Sequence, residues 1–379
     1  MPSGWGFASG SRVTRPAPHI AFVIAGLGAG GAERVISLLA SHWLEKGYAV
    51  TIIAFDPPDA PIFHPIERAV RIIRLGIGAE RWLAGVPAMA RRLRVLRRTL
   101  DELSPDVTIS FLTKINVLSL LACLGTNRRV VVSERNNPRL QQAHPLWTKA
   151  LVRLHWRANA IVMQTSKSCE CLDDKARARA RVIPNPIEIT PSIGAPRSTY
   201  RLAAAGRLTW QKGFDMLIDA FAQIADRHPG WSLAIWGDGE DRAALQRQID
   251  RLGLSDRISL PGTSRSPGDW VGQSDAFVFS SRYEGFGNAL GEAMAAGLPV
   301  VSFDCDYGPA DMIDDERNGL LVPPNDVPAL AVALERLLSD LPLRERLGAA
   351  ARNVGILLRP STVAASWDDI LTELDIVAG

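Results

Sequence analysis

The feature that most constrains this chain is a double series of short β-rich runs alternating with segments of helical periodicity. In the first half the runs are His19–Ala25, Val50–Phe55, Val70–Leu75, Val107–Phe111, Val130–Ser133 and Ala160–Gln164. Between them, segments such as Glu33–Lys46 and Pro87–Leu103 repeat apolar residues at intervals of three and four. A Pro-, Ser- and Gly-rich stretch follows Ile183-Pro184-Asn185-Pro186, and a second series then begins: Leu202–Gly206, Ser232–Trp236, Ile258–Leu260, Ala276–Ser280, Pro299–Phe303 and Gly319–Val322. Parallel strands need a long crossover, which a helix supplies, so alternation of this kind predicts sheets covered by helices. The expected fold is α/β, two Rossmann-like doubly wound domains facing a central cleft. The expected boundaries are a loose tail at 1–18, a first domain at 19–187, a linker at 188–199 and a second domain at 200–360, with a C-terminal helix at 361–379 packing back on the first domain.

A chain of 379 residues, 47% hydrophobic and 22% charged, can bury two cores and lacks the charge excess of a disordered protein. It contains no uncharged apolar run of the roughly 18 residues that a spanning helix needs. The first residues carry no apolar run of signal-peptide type, and only Cys169 and Cys171 of the four cysteines lie close together. A cytoplasmic protein with reduced thiols is expected. Residues 1–190 hold 26 Lys and Arg against 14 Asp and Glu, a net +12, whereas residues 191–379 hold 17 against 26, a net −9. A basic half suits an anionic partner: a phosphate-rich substrate, nucleic acid or a membrane surface. The plainer reading is that each half is soluble in its own way.

Three loops carry the chemistry. The first strand runs into Gly26-Leu27-Gly28-Ala29-Gly30-Gly31-Ala32-Glu33-Arg34 and then a helix. Glycines let a ligand approach the backbone, and helix N-terminal amides favour an anion. Gly26, Gly28 and Gly31 also satisfy G-x-G-x-x-G, with Asp56 placed as a ribose-binding acid, so a nicotinamide-dependent oxidoreductase competes here, as does a ligand-free turn. In the second half, Gly206-Arg207-Leu208-Thr209-Trp210-Gln211-Lys212-Gly213 sets two cations between a strand end and a helix start near Gly213. That pair suits a diphosphate leaving group. In the stretch Ser280–Met294, Glu284 lies in a loop and Glu292 about a turn and a half into a helix, with Gly285 and Gly287 exposing amides between them. Such carboxylates can hold a ribose diol and a sugar hydroxyl, or serve as a cap and a surface residue, or as a glycosidase-type acid and base.

Taken in order, Gly30-Gly31-Ala32-Glu33-Arg34, Pro184-Asn185-Pro186, Gly206-Arg207-x4-Lys212-Gly213, Gly237-Asp238-Gly239 and Glu284-x7-Glu292 resemble the family-four glycosyltransferases of GT-B architecture. Ser133-Glu134-Arg135-Asn136-Asn137-Pro138 and Asp304-Cys305-Asp306-Tyr307-Gly308-Pro309 resemble the branch that builds bacterial surface and lipid-linked glycans. The resemblance implies retaining transfer of a hexose or N-acetylhexosamine from a nucleotide diphosphate sugar, UDP-linked, to a glycan or lipid-linked glycan hydroxyl. It implies no obligatory cofactor or metal and no nucleic-acid partner. Carried across, Glu284, Arg207 and Lys212 are the catalytic group. Gly30, Gly31, Asn185, Gly237, Gly285, Phe286, Gly287, Asn288 and Glu292 join the two cations in donor binding, with Glu292 on the ribose. Glu33, Arg34 and Arg135 fall on the acceptor or donor-sugar side. Many relatives carry a histidine where Arg135 stands, contacting the donor sugar; His144 is a possible substitute or a surface residue. A nucleotide-sugar epimerase of the same architecture and a non-catalytic binding module are the remaining alternatives.

Within Pro87–Leu103, Met89, Leu93, Leu96, Leu100 and Leu103 form one apolar face, with Arg91, Arg94, Arg97 and Arg98 lying away from it. The apolar stripe is expected to pack on the sheet. The arginines then form either a solvated basic face or an electrostatic dock for an anionic membrane, with Trp82 and Leu83 as shallow anchors.

Overall fold

Residues 17–28, 30–77, 86–135, 137, 145–188, 200–264 and 268–377 are described by the computed structural model. The tail at 1–16, most of the linker, Trp82, Leu83 and His144 lie outside these residues. The first half contributes strands β1 (His19–Ile24), β2 (Ala49–Ala54), β3 (Arg71–Arg74), β4 (Val107–Phe111), β5 (Arg129–Ser133), β6 (Ala160–Met163) and β7 (Ala180–Val182). Its helices are α1 (Gly31–Glu45), α2 (Val86–Leu103), α3 (Thr113–Ala122), α4 (Pro145–Leu154) and α5 (Asp174–Arg177). The strands form one parallel sheet in the order β3-β2-β1-β4-β5-β6-β7.

The second half contributes β8 (Arg201–Ala205), β9 (Ser232–Trp236), β10 (Ile258–Gly262), β11 (Ala276–Phe279), β12 (Val300–Phe303) and β13 (Leu320–Val322), in the order β10-β9-β8-β11-β12-β13, again parallel. Its helices are α6 (Phe214–Ala222), α7 (Arg242–Arg251), α8 (Asn288–Ala295), α9 (Pro309–Met312), α10 (Val327–Ser339), α11 (Leu341–Leu357) and α12 (Pro360–Glu373). Both sheets are doubly wound. β7, which the apolar runs do not reveal, is an edge strand of three residues, Ala180-Arg181-Val182, found only through its pairing with β6.

The central strands are buried on both faces, as their near-continuous apolar sequences require. One core cluster joins Phe22 of β1, Phe111 of β4 and Trp43 of α1 to Val363, Trp367 and Ile370 of α12. The last helix thus belongs to the first sheet, although the second domain precedes it in the chain. Fully buried Trp367 stacks on Phe111 at 5.8 Å between ring centres. Asp368, one residue on, takes hydrogen bonds from His42 at 2.9 Å, Trp43 at 2.8 Å and Lys46 at 2.7 Å. Burial alone raises that carboxyl, yet the three donors outweigh it and hold it below its ordinary value. On α2, Leu96 and Leu100 are buried and Met89, Leu93 and Leu103 pack against the same core, while Arg91, Arg94, Arg97 and Arg98 face outward.

Candidate active site

In each sheet the strand order reverses between the first strand and the fourth, β1 against β4 and β8 against β11. Loops leaving a sheet at such a point diverge to opposite faces and open a crevice at the carboxyl ends. Here the loops after β1, β8 and β11 border one cleft of about 810 Å³. It is lined by Gly30, Gly31, Glu33, Arg135, Asn185, Arg207, Lys212, Glu284, Gly285, Phe286, Gly287, Asn288 and Glu292. Of the site residues carried over from the resemblance, Arg34 and Gly237 stand outside this lining, as do Gly26, Gly28 and Asp56 of the dinucleotide alternative.

The second domain supplies most of the charge. Gly213, at φ +63, turns the chain from the cation loop into α6 where a side chain would collide with the Ser280 carbonyl. This close approach brings Lys212 to Glu284: Nζ lies 2.5 Å from Oε1, and Ser281 Oγ donates to the same oxygen at 2.6 Å. Glu284 Oε2 accepts no hydrogen bond among the described residues and is left for a ligand. Arg207 is exposed, with no ion pair among the described residues, so it can close on an anion. Gly237 serves this loop from behind: a side chain there would strike the Gly206 carbonyl, so glycine lets the ends of β8 and β9 meet. Gly287 precedes α8, whose first turn has no side-chain cap. Its free amides therefore suit an anion.

The first domain meets this site with a second uncapped helix start, since α1 begins after Gly30 without a side-chain cap. A side chain on Gly31 would stand 3.3 Å from Asn288 Nδ2, so the N-termini of α1 and α8 converge. The Glu33 carboxylate folds back against Gly30, and burial pushes it above its ordinary value while its own amide pulls it back. Arg34 reaches across to the second domain, with Nη1 3.4 Å from Glu292 Oε1 and Nη2 3.3 Å from Glu188. Burial raises the Glu292 carboxyl and Arg34 opposes that rise. Arg135 is held from several sides: Nε donates to Ser133 Oγ at 2.8 Å, and Nη1 to the Ile183 carbonyl and Asn185 Oδ1, both at 3.1 Å. Burial pushes its guanidinium down to about 9. Asn185 passes the connection on, donating to Asn288 Oδ1 at 2.8 Å.

Two further observations were not accessible to local motif reading. Gln164, just beyond β6, lines the cleft and is buried; the available signal was a polar residue closing an apolar strand run. Asp56, the candidate ribose acid of a dinucleotide site, instead binds Arg74 at 2.6 Å and the Leu27 amide at 3.1 Å through one oxygen. It braces the β1 loop. Among the described residues no three His, Cys, Asp or Glu side chains gather into a metal-holding group.

Paired sheets, a cleft across both switch points and two helix N-termini beside two cations make a site suited to a phosphate-bearing ligand. Residues 29–190 match the model described as Glycosyltransferase Family 4, and residues 187–354 match that described as Glycosyl transferases group 1. The chain belongs to the glycosyltransferases, with GT-B architecture. An exopolysaccharide phosphotransferase of Streptomyces coelicolor is 31% identical over 91% of this chain, which covers 39% of that relative. The first three curated relatives are each spanned over 39 to 63% of their own length. An α-1,4-N-acetyl-D-galactosaminyltransferase of Campylobacter jejuni, named for an undecaprenol-diphosphate glycan, is 25% identical, with 94% of this chain and 98% of that one aligned. The solved structure of HepE from Anabaena with UDP and glucose has a TM-score of 0.75 at 20% identity, covering 93% of this chain and 99% of that one.

Proposed function

We propose that the protein transfers a hexose or N-acetylhexosamine from a UDP-sugar to a hydroxyl of a lipid-linked or polysaccharide glycan, with retention of configuration and without an obligatory metal. The observation that carries this reading is the convergence of Arg207, Lys212, Glu284, Glu292 and the α8 N-terminus on one cleft. In it, Glu292 accepts from the ribose hydroxyls. The amides from Gly285 to Asn288, with Arg207 and Lys212, bind the diphosphate, whose charge grows as the sugar C–O bond breaks. Lys212 is already oriented by Glu284, and the free Oε2 of that carboxylate accepts from a donor-sugar hydroxyl. The acceptor oxygen attacks the anomeric carbon from the face the nucleotide leaves, and its proton passes to a departing phosphate oxygen. The UDP in the HepE structure and the lipid-linked glycan in the Campylobacter relative's name support the choice of donor and acceptor class. No described helix is long and apolar enough to cross a membrane. The outward arginines of α2 support a peripheral dock on an anionic membrane that brings the enzyme to a lipid-linked acceptor.

The test is incubation with UDP-glucose, UDP-galactose and their N-acetyl forms, with and without polyprenyl-diphosphate glycans, followed by mass analysis and anomeric assignment by NMR. An α-linked product that forms only with acceptor is expected. Epimerised sugar without acceptor, or an inverted linkage, overturns the reading.

A further inference from the structure

Two buried polar atoms of the cleft are left unsatisfied, and they are complementary. β5 and β6 pair in register with Ser133 opposite Val162, so Arg135 and Gln164, each two residues further on, leave the sheet side by side. Their exposures are only 7% and 4%, yet both line the cleft. Among the described residues, Arg135 Nη2 and Gln164 Oε1 have no hydrogen-bond partner. Buried polar groups are normally paired, since an unpaired one has given up its hydrogen bonds to water with nothing in return.

Arg135 cannot swing away to find a partner. Besides the hydrogen bonds to Ser133, Ile183 and Asn185, its guanidinium carbon lies 5.6 Å from the Phe111 ring centre and 5.5 Å from that of Trp367. What it offers the cleft is one fixed donor nitrogen, Nη2. Gln164 offers one acceptor beside it. The cations and carboxylates placed on the donor nucleotide, Arg207, Lys212, Glu284 and Glu292, all come from the second domain, whereas these two atoms come from strand ends of the first.

We propose that Arg135 and Gln164 form a saccharide subsite that reads one hydroxyl of the acceptor sugar, which donates to Gln164 Oε1 and accepts from Arg135 Nη2. This rests on the glycan-acceptor reading above. It assigns Arg135 to the acceptor, not to the donor-sugar contact that the resemblance implies for this position: like Gln164 it stands at a strand end of the first domain, held between Phe111, Trp367 and Asn185. A sugar lacking that hydroxyl leaves both protein atoms unpaired, so the pair selects against it.

The experiment titrates octyl galactoside, octyl glucoside, octyl 2-acetamido-2-deoxygalactoside and their monodeoxy forms into the full chain by calorimetry, with and without saturating UDP. Gln164→Leu is expected to weaken the best glycoside roughly tenfold, and Gln164→Glu, which keeps an acceptor oxygen, to hold it within about threefold of wild type. UDP affinity is expected to stay within about twofold in both variants, which also reports that they fold. One monodeoxy glycoside should lose the same roughly tenfold on wild type and lose nothing further on Gln164→Leu. Equal glycoside affinity in Gln164→Leu and wild type, a loss that falls on UDP instead, or no glycoside binding to wild type overturns the subsite. A wild-type protein that takes up no UDP fails the donor reading separately, and the nucleotide-free titrations still decide this one.

Discussion

Removing Arg34 should convert nucleotide binding from a weakly to a strongly pH-dependent event. Glu292 is a half-buried carboxylate on α8, and its desolvation favours the protonated form. Arg34, arriving from α1 at 3.4 Å, opposes that and is placed to keep Glu292 ionised, the form that the proposed ribose contact requires. In Arg34→Met the carboxyl keeps its desolvation and loses its cation, so it takes up a proton at higher pH than in wild type. Protonation replaces an ionised acceptor by a neutral acid, a loss of about 1.5–3 kcal/mol, or roughly ten- to a hundredfold in UDP affinity. The sign follows: affinity falls as pH falls, and in the variant the fall begins at higher pH. Calorimetric UDP titrations between pH 5.5 and 8.5, expressed as the ratio of variant to wild type, cancel titration of the nucleotide itself. Glu292→Gln should bear a similar loss at every pH. Arg34 also pushes the His64 imidazole down and pairs with Glu188. The Arg34→Met, Glu292→Gln double variant and Glu188→Gln separate those effects, and neither should show the new pH step. A pH profile of Arg34→Met that parallels wild type would refute the ribose role of Glu292 or the part given to Arg34.

The other expectations concern the leaving group, the core and the surface. Arg207→Ala and Lys212→Ala should each depress kcat more than donor affinity and combine less than additively, because in the proposed mechanism both act on one diphosphate. Activity should survive a chelator, and a strict need for a divalent cation would refute the metal-free mechanism. Trp367→Ala should destabilise the first sheet by about 3–5 kcal/mol, seen by hydrogen exchange as lost protection in β1 and β4 with β8 to β13 spared; uniform loss would refute the assignment of α12 to that sheet. Burial pushes the Glu134 carboxyl from 4.5 up to about 7, against hydrogen bonds from Thr113 and Asn116. The folded state therefore holds that proton more tightly, and stability should fall by about 3 kcal/mol as pH rises between those values. Glu134→Gln should flatten the fall in denaturant titrations from pH 4 to 8, and an unchanged profile would show that Glu134 does not cause it. Replacing Arg91, Arg94 and Arg97 by Gln should remove most binding to anionic liposomes in sedimentation, at about 1 kcal/mol per charge. Arg98 should matter less, since Glu102 already pairs with it at 2.8 Å. Binding insensitive to lipid charge and salt would refute this mode of docking.

How much of the site could be read in the sequence differs between the two halves for a physical reason. Arg207 and Lys212 share one strand-to-helix loop, and Glu284 lies in another with Glu292 on the helix it opens, so their spacing alone places them at a strand end and a helix start. The first half works through partners distant in the chain. Arg34 acquires its role from Glu292, 258 positions away, and sequence reading could place it only on the acceptor or donor-sugar side. Arg135 is immobilised by Trp367 on a helix that returns from beyond the second domain. Gln164 becomes a neighbour of Arg135 only once β6 has paired with β5, and a one-residue change of register would turn it to the other face of the sheet. Strand order is written in the alternation of local patterns; register and domain contact are not. The acceptor side proposed above, assembled by register and by a returning helix, can therefore change its chemistry with a single substitution at position 135 or 164. The donor side draws its charges from two strand-to-helix segments, so its spacing is legible in the chain.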